Sequence, residues 1–400
     1  MPQFKSPELV ETIHFCDRVH PPFFQALMSP LNTLKEFSIH LAALNSITAE
    51  HLSPLQFPHL DKLAIWGGIQ VFQDQWRFKE EWNIARINGN IIALLQKPYP
   101  SLKILMVEFP YDSSCDKNIT MALLEVILRT KAKLQTLAIE FNLLVDQDVT
   151  NRDLPTEDLE IINLASRAFQ DLRLKNLELA PYCLYQLPHA DMWERFVQEQ
   201  TRLQYFIAMG VFYTQESLQE IISHNFVTLS HLCISRISLY DNDVFRQIDC
   251  AIFEPCENLT HLVLRGWTLT LSVKGMIHVE RLPKSLKEID IGEMALLSED
   301  VKYLALRMPQ LEHLELRYVG NRDEMGMRLE TLEEIMRARK LKTILLQRSF
   351  NGSLPKDGIF NGDEQYPEFI KDLKLGFLTL ELNARGYYKE MGSNANFRPL

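Results

Sequence analysis

The apolar positions of this chain fall into one recurring spacing, leucine-x-x-leucine-x-leucine. It is cleanest at Leu229/Leu232/Ile234, Leu259/Leu262/Leu264 and Leu311/Leu314/Leu316. The same spacing runs through Leu34/Phe37/Ile39, Leu60/Leu63/Ile65, Leu102/Leu105/Val107, Leu134/Leu137/Ile139 and Leu174/Leu177/Leu179. It continues in Leu203/Phe206/Ala208, Leu286/Ile289/Ile291 and Leu341/Ile344/Leu346. Weaker copies, Val10/Ile13/Phe15 and Leu375/Leu378/Leu380, stand at the two ends and bring the number to thirteen. From Leu203 onward the first leucines lie 26, 30, 27, 25, 30 and 34 residues apart. A period in this range marks a repeat architecture.

Each motif predicts a short strand, because its closing leucine-x-leucine alternates with period two and puts two aliphatic side chains on one sheet face. The intervening stretches have helical period. Ser298 is a plausible N-cap for the run Val301, Leu304, Leu306, with Glu299 and Asp300 in its first turn. Residues 214–222 and 329–336 have the same character. Pro58, Pro100 and Pro309 each stand two residues before a first leucine, where a helix has to end. The unit is therefore strand, turn, helix, turn. Alone it cannot bury its apolar face, so units must stack. Parallel strands sit about 4.8 Å apart and helices about 10 Å apart, so the stack bends with strands concave and helices convex.

The expected fold is an α/β solenoid, a curved horseshoe of about 13 repeats. Residues 1–382 are read as a single solenoid and 383–400 as a tail that is mobile or caps the array. Two wide intervals, 42 residues before Leu102 and 40 before Leu174, hold enlarged connections. The first contains Trp76, Trp82 and a helix through Ile91 to Leu95. The second, Asp146 to Glu160, reads as an acidic solvated loop.

This pattern resembles leucine-rich repeats of the ribonuclease-inhibitor-like type. Residues 298–316 look like a repeat of F-box/leucine-rich-repeat proteins, and Cys256-Glu-Asn-Leu-Thr-His-Leu-Val-Leu264 looks like the cysteine-containing version of that repeat. The resemblance implies a substrate-recruiting receptor of an SCF-type ubiquitin ligase, with a ligase adaptor as one partner. The F-box itself has no counterpart before Val10, where the chain enters its first repeat.

Composition narrows the function. With 52 acidic against 42 basic side chains the formal charge is -10, unlike a nucleic-acid binder that must neutralise phosphates. Glycine is scarce, 15 residues, which leaves little room for phosphate-cradling loops. No apolar run approaches the length of a membrane span. The six cysteines are scattered without a CxxC pair, which points to reduced thiols and a cytoplasmic or nuclear location. No hydrolase, phosphate-loop or metalloprotease motif occurs. The expectation is a non-enzyme without cofactor or metal.

The natural binding surface is the concave face, where the residue inside each leucine-x-leucine points: Ala64, Met106, Ala138, Glu178, Ile207, Cys233 and Val263, then Asp290, Glu315, Leu345 and Thr379. An apolar middle gives way to an acidic later section. Apolar patches of this kind mark interaction sites, and β-favouring residues fill such positions for local reasons too. His231, His261 and His313 share the place before the second leucine. The first two, in consecutive repeats, are able to stack at strand spacing, as a pH-sensing or metal ladder or as ordinary surface residues. No cysteine or carboxylate completes a tetrahedral set around them. Trp66 and Trp267 at the rim are candidate anchors, and Arg265, Arg317 and Arg348 beyond strand ends are candidate clamps for an acidic motif. The partner expected in the groove is a protein or peptide. The alternatives are a leucine-rich-repeat enzyme regulator, inhibitor or GTPase-activator-like, and a scaffold.

Overall fold

The computed structural model describes residues 10–28, 33–67, 83–109, 117–141, 159–181, 195–209, 215–235, 247–265, 268–270, 272–273, 276–277, 281–294, 304, 306–319, 343–347 and 379–383. The chain divides into two compact units, Met1–Leu203 and Gln204–Leu400.

The first unit carries strands β1 (Thr12–Phe15), β2 (Glu36–His40), β3 (Lys62–Trp66), β4 (Ile104–Phe109), β5 (Thr136–Phe141) and β6 (Asn176–Pro181). Each pairs in parallel with the next, in chain order. The register keeps the motif aligned: Phe37 faces Leu63, Leu63 faces Leu105, Leu105 faces Leu137, and Leu137 faces Leu177. All three apolar positions of every copy from Leu34 to Leu179 are buried. Burying one such side chain contributes roughly 1.5–3 kcal/mol, and this recurring term outweighs weak local propensities.

Helices α1 (Pro21–Met28), α2 (Leu41–Ser46), α3 (Ala49–Leu52), α4 (Ile84–Leu95), α5 (Lys117–Thr130) and α6 (Leu159–Phe169) alternate with these strands. Neighbours pack α2 and α3 on α4, α4 on α5, and α5 on α6. Helix α4 extends further toward the N-terminus than the sequence suggests, because Asn83 caps it: its side-chain oxygen accepts from the Arg86 amide at 2.9 Å. Helix α6 begins at Leu159, so the last two residues of the expected acidic loop are helical; 146–158 lie outside the described residues. An aromatic run, Phe24–Phe15–Phe37–Phe57–Tyr99, links successive repeats with centroid separations of 5.1, 6.1, 5.4 and 5.6 Å.

The second unit begins with β7 (Tyr205–Met209), α7 (Gln215–Asn225) and β8 (His231–Ser235), followed by a short β9 (Gln247–Asp249) and a tight helical turn at Cys250–Phe253. Next come β10 (His261–Arg265), β11 (Thr268–Thr270), β12 (Ser272–Val273), β13 (Met276–Ile277), β14 (Glu288–Met294), β15 (His313–Val319), β16 (Thr343–Gln347) and β17 (Thr379–Asn383). The main sheet runs β7, β8, β10, β14, β15, β16, β17, all parallel. β9 pairs with β11 in parallel, and β12 with β13 antiparallel. The insertions in this unit are small strands that the helical spacing of the sequence does not announce.

A repeating hydrogen-bond device fixes the register in both units. Just before β1–β5, β7, β8, β10 and β14, one carbonyl accepts two successive amides of the next repeat: Lys35 from Asp61 and Lys62 at 2.7 and 3.0 Å, Ser230 from Thr260 and His261 at 2.8 and 3.2 Å. The terminal copy departs from expectation. Leu380 faces Ile344 and Leu382 faces Leu346, so the last motif ends on Leu380 and Leu382, with Glu381 rather than Thr379 between them. Two overlapping leucine spacings occur there, and strand pairing selects the later one.

These elements make a leucine-rich-repeat α/β solenoid fold. Among the described residues no helix is long and apolar enough to cross a membrane.

Candidate functional site

In the motif-bearing strands whose side chains are described, the motif residues point into the core and the alternate residues form the outer face. In the second unit Phe206, Ala208, Leu232, Ile234, Leu262 and Leu264 are all 1% exposed or less. Their neighbours Tyr205, Ile207, His231, Cys233, His261 and Val263 are half-buried. Register brings these six into two rows. Tyr205, His231 and His261 are directly paired across β7, β8 and β10, and so are Ile207, Cys233 and Val263.

The first row is a stack of rings. His231 and His261 lie 4.0 Å apart between centroids with planes 11° from parallel, and Tyr205 lies 5.1 Å from His231 at 36°. The stacking that consecutive repeats suggest is therefore present. The preceding residues set the tautomers. Ser230 Oγ donates to the Gln204 carbonyl at 2.8 Å, so it accepts from His231 Nδ1 at 2.9 Å. Thr260 Oγ1 donates to the Ser230 carbonyl at 3.0 Å and accepts from His261 Nδ1 at 2.8 Å. Both neutral rings thus carry hydrogen at Nδ1 and a lone pair at Nε2. Near-parallel ring planes do not direct these lone pairs to one point, so the pair is a stack and not a chelate. Among the described residues no group of three or more His, Cys, Asp and Glu is placed to hold a metal.

Electrostatics follow from the same geometry. Burial pushes His231 down to about 4, and the adjacent His261 adds to the effect. Burial lowers His261 as well, while Glu288, whose Oε2 lies 3.6 Å from His261 Nε2, pulls the other way. The stack is neutral at pH 7. The next strand brings acidic residues to both rows: Glu288 pairs with His261 and with His313, and Asp290, 3% exposed, pairs with Val263 and Glu315.

The outer face of the first unit is built differently. Ser38, Ala64 and Ala138 are buried beside larger neighbours, while Met106 and Glu178 are half-buried. Burial pushes the Glu178 carboxyl up to about 7. Trp66 at the end of β3 is 36% exposed and forms a T-shaped pair with buried His40, centroids 4.7 Å apart and planes at 82°. His40 Nδ1 accepts from the Ala42 amide at 3.0 Å, capping α2. The Gly67 amide donates to buried Glu108 Oε2 at 2.7 Å.

The structure therefore gathers Ile207, His231, Cys233, His261 and Val263 on one surface of the second unit. Met106 and Trp66 stand on the first unit's face, in different rows. Arg265 and Arg317 both pair with Gly292 and are strand residues rather than lying beyond strand ends as expected: Arg265 closes β10, and Arg317 stands two residues before the end of β15; their side chains lie outside the described residues, as do Trp267 and Arg348. Sequence reasoning overlooked Tyr205 and Glu288, although both precede the second apolar position of the motif, Phe206 and Ile289, as His231 and His261 precede Leu232 and Leu262. It also overlooked the His40 cap, which its position at a strand end conceals.

No protein-family model matches the sequence, and no curated protein does. Solved structures resemble it. LegL7, a leucine-rich repeat-containing protein from Legionella pneumophila, is 13% identical with a TM-score of 0.29, covering 86% of this chain and 84% of that one. TLR13, solved in a complex with ssRNA13, is 14% identical with a TM-score of 0.28, covering 90% of this chain and 52% of that one. The chain thus matches about half of the TLR13 length. With superpositions this loose, the fold rests on the strand order and register of the chain itself.

Proposed function

We propose that the chain is a non-catalytic recognition module that holds a partner protein or peptide on the outer face of β7, β8 and β10. The observation that carries this reading is the register-matched apolar row Ile207, Cys233, Val263, half-buried on the side opposite the core and bordered by a neutral ring stack. Contiguous apolar surface on a rigid sheet favours association, because covering it removes apolar area from water. The test is the pair Ile207→Asp and Val263→Asp, read by partner recovery in pull-downs. Loss of the partner from a folded double variant is expected, and unchanged recovery overturns the reading.

The finer reading is a substrate receptor of an SCF-type ubiquitin ligase, supported by the likeness of residues 256–264 to the cysteine-containing repeat of F-box proteins. Fully buried Cys256, whose thiol burial pushes up to about 12, is consistent with a packing role for that cysteine. A cytoplasmic or nuclear location goes with it, and none of the described cysteines Cys16, Cys233, Cys250 and Cys256 forms a disulfide. Affinity purification of the full chain tests this branch. Recovery of a ligase adaptor supports it, and recovery of partners without one leaves a recognition module outside the ligase system.

A further inference from the structure

We propose that the occupant of this face is an extended peptide segment with two bulky apolar side chains two residues apart and a lysine or arginine two residues further on, in either chain direction. The inference rests on the recognition face above and adds its specificity.

Three observations combine. The apolar row spans three adjacent strands, and the next strand in the same sheet, β14, carries carboxylates at both outer-face positions that continue the rows, Glu288 and Asp290. The Glu288 side chain is 43% exposed. The rings of Tyr205, His231 and His261 border the apolar row along its full length and are uncharged near pH 7, so they add a flat edge without opposing charge.

The spacing follows from two periods. From β7 to β14 there are three strand intervals, about 14 Å. An extended peptide crossing the strands rises about 3.3 Å per residue and turns alternate side chains to the same side. Its residues i, i+2 and i+4 therefore face the sheet over about 13 Å. Residue i lies beside Ile207, i+2 falls between Cys233 and Val263, and i+4 arrives over β14. Glu288 is one outer-face position back along the strand from Asp290, about 7 Å. A long cationic side chain at i+4 covers that distance with its stem on apolar surface and its charge at the carboxylate. A short or anionic side chain there does not.

The experiment is peptide display against the full chain, followed by fluorescence polarisation of a selected peptide and its partner variants. Enrichment of apolar-x-apolar-x-Lys/Arg, in either direction, is expected. Glu288→Lys should weaken the lysine peptide about tenfold, and exchanging the peptide lysine for glutamate should restore much of the loss in that variant alone. Because Glu288 is exposed, this substitution is not one that threatens the core; circular dichroism of each variant confirms folding. Display without enrichment, or enrichment lacking the basic position, overturns the inference. If the charge exchange has no effect while Val263→Asp abolishes binding, the spacing-and-charge inference falls and the recognition face stands. If Val263→Asp leaves binding unchanged, both fall.

Discussion

Residue by residue, this protein spends its polar side chains on holding backbone. Gly67 shows how tight that is. A Cβ at this position would stand 2.5 Å from Leu41 side-chain carbons and 2.9 Å from the Leu41 Cβ, which cannot swing away, while the Gly67 amide is held by Glu108. We expect Gly67→Ala to cost about 1–3 kcal/mol, seen as a lower urea midpoint at unchanged slope. Two histidines make stability depend on acidity. His231 titrates near 4 in the folded protein, and buried His40 is lowered by desolvation. The unfolded chain binds these protons first, near the ordinary histidine value of about 6.5. Stability is therefore full above that value and falls as pH drops toward about 4. His40→Asn keeps an N-cap acceptor without the titration. Its thermal midpoint should decline less between pH 6.5 and 4.5 than that of the parent protein. An equal decline would show that His40 protonation is not coupled to folding.

At the scale of elements, long side chains of one repeat satisfy helix ends of a neighbouring repeat, more often the preceding one than the following one. Arg129 donates to the Leu95 and Gln96 carbonyls at 2.7 and 3.2 Å, and Lys97 to the Ser53 carbonyl at 2.6 Å. Lys131 reaches the Arg167 and Gln170 carbonyls at 3.2 and 3.3 Å. These are the orphan carbonyls of helix C-termini, where cations are also favoured by the dipole. Asn90, 1% exposed in α4, does the same from inside, donating to the Leu44 and Ile47 carbonyls at 2.7 and 3.0 Å. Asn90→Leu keeps the volume and removes both bonds, leaving two buried acceptors unmet. A loss of about 1–3 kcal/mol is expected in denaturant melts. A neutral outcome would mean that water replaces the amide.

These cross-repeat contacts also explain what was legible in the sequence. The leucine positions, the parallel strands and the face on which Ile207, Cys233 and Val263 lie follow from period alone. Periodicity is blind to which residues of a neighbouring repeat become partners. The Gly67–Glu108 bond joins residues 41 apart, and Glu288 meets His261 across 27 positions that include three small strands. The terminal register was ambiguous for the same reason. Leu378/Leu380 and Leu380/Leu382 both fit the motif, and only pairing with β16 distinguishes them.

At the scale of the whole molecule, the chain carries a formal charge of -10, and the outer face of its second unit changes from apolar to acidic between β10 and β14. The recognition account places its partner on that boundary. The most direct measurement is site-specific photo-cross-linking in cells. A photoreactive phenylalanine analogue replaces Cys233 in the outer face or Gln219, an exposed position of α7. The account predicts partner adducts from position 233 that disappear with Val263→Asp, and none from 219. Adducts from 219 alone, with none from 233, would contradict it.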